Sequence, residues 1–159
     1  MTELEALIIK ASQGEQNRYG DIEYTYSESE RCTFITQITY LLNHAAPDNN
    51  EQEQITSLIY WSMHGTQNLV EHVFKNFLPW ISEPYINRGF FRFLEENNTA
   101  ESKLRWGEKL LKLSQYYPKS EALLSFRDSL FHGLKRIDAS ELEPSELAKQ
   151  KHLIGLLLR

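Results

Sequence analysis

Arg127, Asp128 and His132 are the residues of this chain whose types and spacing come nearest to a chemical apparatus. They lie in residues 120 to 137, SEALLSFRDSLFHGLKRI, where Leu123, Leu124, Leu130, Phe131, Leu134 and Ile137 recur at helical spacing behind Ser120, an N-cap residue type. At the helical rotation per residue, Arg127 falls about 40° round from Leu123, within that apolar stripe. A guanidinium there must be paired, drawn out along its stem to water, or aimed at something. On a straight helix His132 lies about 140° from Arg127, so the two converge only at a helix irregularity or in a dimer cleft.

The run Arg127-Asp128-Ser129-Leu130-Phe131-His132 resembles the arginine, polar residue and histidine motif of the HEPN superfamily. These are small all-helical proteins that include metal-independent ribonucleases and toxins of toxin–antitoxin pairs, and their motif sits on a late helix. The resemblance covers six residues. It implies that His132 acts as acid/base on the RNA 2′-hydroxyl or leaving oxygen, that Arg127 stabilises the phosphate, and that Asp128 fills the polar position.

Other chemistries are excluded by pattern. No glycine-rich loop precedes a helix to cradle phosphates, and no GxSxG supplies a nucleophile elbow. His44, His64, His72, His132 and His152 are scattered, with no HExxH or cysteine pair at metal-ligand spacing, so neither a metal nor a cofactor is expected. Cys32 is the single cysteine; with no histidine or basic cluster beside it in sequence, it reads as a small buried hydrophobe. One cysteine forms no internal disulfide, which fits a reducing compartment. No apolar run is long enough to cross a bilayer, and MTELEALIIKASQ carries acids where a signal peptide needs basic residues, so a cytoplasmic location without membrane contact is expected.

Charge offers a second candidate. Residues 1 to 60 hold ten acidic groups against Lys10, Arg18 and Arg31, whereas residues 61 to 159 hold twelve acidic against fourteen basic. An acidic face disfavours a phosphate backbone and favours basic partners. Tyr19, Tyr24 and Tyr26 beside Asp21, Glu23, Glu28 and Glu30 combine aromatic anchors with steering charge, and these seven are the candidate partner-binding residues. The class they fit is a non-enzymatic, acidic protein-binding domain. Its most specific form is an immunity protein or inhibitor that neutralises a basic, nuclease-like toxin, and the HEPN-type ribonuclease, with RNA as its substrate, is the alternative.

Both candidates must be held by helices. With 159 residues, 41% apolar and 12% aromatic, the chain is expected to fold as a single domain, 1–159. Apolar spacing predicts helices over residues 2–13, 28–45, 51–64, 66–78, 90–97, 98–117, 120–137 and 144–158, bounded by Gly14, Pro47, Gly65, Pro79 and Pro118. Residues 15 to 26 alternate Ile22, Tyr24 and Tyr26 with Asp21, Glu23 and Thr25, but a lone strand has no backbone partner, so a loop is expected. Phe90, Phe91 and Phe93 cannot all face one core, so at least one is expected to touch another segment or subunit. The helix, Gly65, Thr66 and second helix in residues 51–81 resemble one unit of an armadillo or HEAT repeat. The expected fold is all-α, about eight short helices in a bundle or short helical-repeat solenoid.

Overall fold

Side chains that accept backbone N–H groups start most of the helices, Ser120 among them as its residue type predicts. Thr2, Ser27, Asp48, Thr66, Thr99 and Ser120 each cap the third residue beyond them. They open α1 (Glu3–Ser12), α2 (Glu28–Leu42), α3 (Asn49–Ser62), α4 (Gln67–Phe77), α6 (Ala100–Ser114) and α7 (Glu121–Lys135). Proline in the first turn, where the missing N–H costs nothing, opens α5 (Pro84–Glu95) and α8 (Pro144–Leu157). The computed structural model describes residues 1–158, and among these the class is all-α, eight helices with one two-stranded hairpin. No helix among the described residues is long and apolar enough to cross a membrane.

The chain separates into two compact units, Met1–Pro79 and Trp80–Arg159. In the first, α2 packs on α1 and α4, and α3 packs on the same two helices. Ile8, Ile35, Ile38, Ile55, Ile59 and Phe74 are fully buried there. The Thr2 hydroxyl donates to Glu51 at 2.6 Å and so ties the start of α1 to the start of α3.

The loop expected over residues 15 to 26 is corrected. Strand β2 (Ile22–Tyr24) has a partner in β1 (Gly14–Gln16), antiparallel, with Gly14 opposite Tyr24, Glu15 opposite Glu23 and Gln16 opposite Ile22. Gly14, expected only to stop α1, begins the hairpin instead. The turn follows from Asn17 and Gly20: the Asn17 carboxamide oxygen accepts from the N–H of Tyr19 and Asp21, and Gly20 adopts φ +86. That is a type I turn closed by a left-handed residue, a standard three-residue hairpin connection.

In the second unit α7 is central, packed on α5, α6 and α8. Leu123, Phe126, Leu130 and Leu134 of α7 are buried, with Phe126 against the rings of Phe90 and Phe91 on α5. Phe93 stacks on Trp106 of α6 at 4.8 Å, so the third phenylalanine of α5 does serve another segment. Helix α5 also begins earlier than the predicted residue 90, because Pro84 sits in its first turn.

Not every large apolar residue is buried, and Leu124, counted in the apolar stripe of α7, is one that is not. Trp61, Leu124 and Leu158 are exposed, and α8 buries Gln150 and Leu153. Gln150 is held by chemistry rather than by hydrophobicity. Its Nε2 donates to the carbonyls of Leu134 and Ile137, where α7 ends.

Candidate functional site

Helix α7 is regular from Glu121 to Lys135, so the angular separation of Arg127 and His132 persists in space. Arg127 is half-buried, and its Nη2 donates to the Leu156 carbonyl at 3.2 Å. Leu156 lies in the last turn of α8, where carbonyls lack helical partners, so this arginine closes a helix end. His132 is exposed and lies with its Nε2 at 3.5 Å from Asp128 Oδ1, one helical turn earlier. Arg127 lines a hollow with Leu123, Phe131 and Leu157, whereas His132 lines another with Asn87, Ser129 and Arg136. Asp128 borders both. The structure therefore brings Asp128 and His132 together and directs Arg127 elsewhere, while Arg136, which the sequence motif leaves out, stands on the histidine's side.

The hairpin divides the seven partner-binding candidates. Tyr19 is 74% exposed at the turn with the Arg18 guanidinium over its ring, and Asp21 and Glu23 are exposed beside it. Tyr24 and Tyr26 are half-buried and hold the hairpin to the helices. The guanidinium carbon of Arg31 lies 3.3 Å from the Tyr24 ring centroid, and the Tyr26 ring meets Phe34 edge-on at 4.9 Å. Glu30 is occupied in the capping box with Ser27, and Glu28 accepts the hydroxyl of Thr66 at the start of α4. Tyr19, Asp21 and Glu23 thus remain as a contiguous surface.

Glu15 joins them. It faces Glu23 directly across the two strands, and both are exposed. Like charges directly opposite in a ladder destabilise it, and only an Asn17 Nδ2 contact at 3.4 Å reaches Glu23 from the hairpin itself. The signal for Glu15 was the Asn17 to Gly20 turn, which fixes the register and hence the opposition.

Among the described residues no three His, Cys, Asp or Glu side chains gather as a metal ion would need. Cys32 is half-buried on α2, and burial raises its thiol pKa, with Glu28 adding to the effect. That direction works against thiolate chemistry. Compared with known proteins, the chain matches no family model, no curated protein and no solved structure.

Proposed function

We propose that this chain is a protein-binding domain whose hairpin receives a basic protein partner, in its most specific form an inhibitor or immunity protein for a nuclease-like toxin. The observation that carries the reading is the direct opposition of Glu15 and Glu23, flanked by exposed Asp21 and Tyr19. A lysine or arginine seated between two facing carboxylates turns a local repulsion into two attractions. Tyr19 supplies the aromatic contact that such interfaces use as an anchor. The acidic balance of residues 1 to 60 would steer a basic partner toward this face from a distance. A cytoplasmic setting is inferred from the lone Cys32, whose free thiol accords with a reducing compartment.

The triple variant Glu15→Lys/Asp21→Lys/Glu23→Lys should keep its helical circular dichroism and lose the partner. Basic proteins retained by the immobilised native chain at low salt should associate with the variant about 10 to 10³ times more slowly. The gap should narrow as the Debye length shrinks to ~10 Å at 0.1 M salt. Equal retention of basic proteins by the two would end this reading.

A second reading, the HEPN-type metal-independent ribonuclease, is favoured by one observation: Asp128, His132 and Arg136 border the same hollow on the α5 and α7 side. Cleavage of total RNA in EDTA, lost in His132→Ala and in Arg136→Ala, would support it. RNA left intact by the native chain would remove it.

A further inference from the structure

Arg31 is the most unusual buried residue of the first unit. It is 5% exposed on α2, and it forms an ion pair with no carboxylate among the described residues. Its Nε donates to the Ala11 carbonyl at 2.9 Å, and its guanidinium lies over the Tyr24 ring. Burial lowers its pKa, opposed chiefly by Tyr24 and to a lesser degree by Cys32 and Glu28.

The cation borders a cavity. A space of about 320 Å³ opens within the first unit among α1, β2, α2 and α3, at the small end of ligand pockets, which run from ~300 to 1,000 Å³. Gln54 Oε1 and Ser62 Oγ also belong to its lining residues, and among the described residues these are the two buried side-chain polar atoms that lack a hydrogen-bond partner. Ser62 is 1% exposed and Gln54 is half-buried. Buried polar atoms without partners cost stability, and two on residues lining one cavity, beside a cation that has no carboxylate partner, mark a place where a ligand would supply what is missing. The walls are mixed, with apolar and polar residues. Ile9, Ile22 and Trp61, three of the large hydrophobic residues the chain leaves exposed, all border this cavity. Its one lining carboxylate, Glu53, is solvent-exposed.

We propose that this cavity binds a small organic carboxylic acid with a flat or branched apolar body bearing a hydroxyl or amino group. The carboxylate would pair with the terminal nitrogens of Arg31, whose fork suits that geometry. The body would lie against Trp61, Ile9 and Ile22. Its hydroxyl or amino hydrogen would go to Gln54 Oε1, and the Ser62 hydroxyl would complete the polar set. The site lies inside the unit and does not depend on the acidic outer face of the hairpin, so it stands apart from the protein-binding reading.

The test is titration of the full chain, followed by amide chemical shifts, with 4-hydroxyphenylacetate and with its neutral amide, 4-hydroxyphenylacetamide. Saturable shifts at the α1, β2 and α3 residues around the cavity are expected with the acid, with affinity at least about tenfold above that of the amide. Ser62→Ala removes an unsatisfied hydroxyl, so it should leave the melting temperature unchanged or higher while weakening the acid. Ser62→Leu fills the space and should abolish the shifts in a chain that still melts cooperatively. The proposal is overturned if the acid gives no saturable shifts up to about 10 mM. Equal binding of acid and amide, or shifts that survive Ser62→Leu, would overturn it as well.

Discussion

Phe126→Ala should lower the unfolding free energy of the second unit by about 3–5 kcal/mol, with the urea midpoint falling while the slope stays constant. Phe126 is fully buried, its ring 5.7 Å from that of Phe90 and 4.9 Å from that of Phe91. Removing it deletes the transfer free energy of a whole ring, leaves a hole between α5 and α7, and breaks two aromatic contacts of ~0.5–1.5 kcal/mol each. Leu124→Ala, two residues away, is the control. Leu124 is 60% exposed, and its loss should stay within about 0.5 kcal/mol. Comparable losses at the two positions would mean that α7 does not face α5 through Phe126.

That pair of residues also shows where the sequence was legible and where it was not. The existence of α7, its Ser120 cap and four of its core residues follow from spacing alone. Its rotation does not. Relative to Leu123 the buried residues Phe126, Leu130, Leu134 and Ile137 span from about −60° to +20°, whereas Leu124 and Phe131 stand near +100° and +80°. Counting all of these by residue type alone, and omitting Phe126, pulls the apparent centre of the stripe toward Arg127. The arginine then looks buried in mid-stripe, when it lies at the edge and reaches the end of α8.

The same limit applies at Arg31 and Gln150. Both are buried for hydrogen-bonding reasons that depend on residues 13 to 20 positions away in sequence, Ala11 for one and Leu134 and Ile137 for the other. Local periodicity carries no information about such partners. The hairpin is a different kind of miss. Asn17 and Gly20 do announce its turn, but β1 is three residues of Gly, Glu and Gln, with no apolar alternation to mark it as a strand. The exposed surface of the candidate site, Tyr19, Asp21 and Glu23, was therefore legible as composition, and its organisation around Glu15 was not.

Gly14→Ala should open the hairpin while leaving the helices intact. A Cβ at Gly14 would stand 2.6 Å from the Glu23 carbonyl oxygen and 3.1 Å from the Tyr24 Cα, both backbone atoms that cannot turn aside. The strands must separate or slip. Exchange protection should fall by about 10-fold or more at the amides of Asn17 and Thr25, which bond the carbonyls of Asp21 and Gln13 across the hairpin. Gly20→Ala is the milder comparison, because its Cβ meets only the Gln16 side chain at 3.7 Å and the cost, about 1–2 kcal/mol, comes from the left-handed backbone. Preserved protection in Gly14→Ala would show that the ladder tolerates the methyl and that register is set elsewhere. A one-residue slip would turn every side chain of β2 to the other face, removing Glu23 from Glu15 on one side and Ile22 and Tyr24 from the cavity on the other. Gly14→Ala should therefore lose the basic partner and the organic acid together. The triple lysine variant should lose only the partner, and Ser62→Leu only the acid, so the three variants separate a shared scaffold from two independent surfaces built on it.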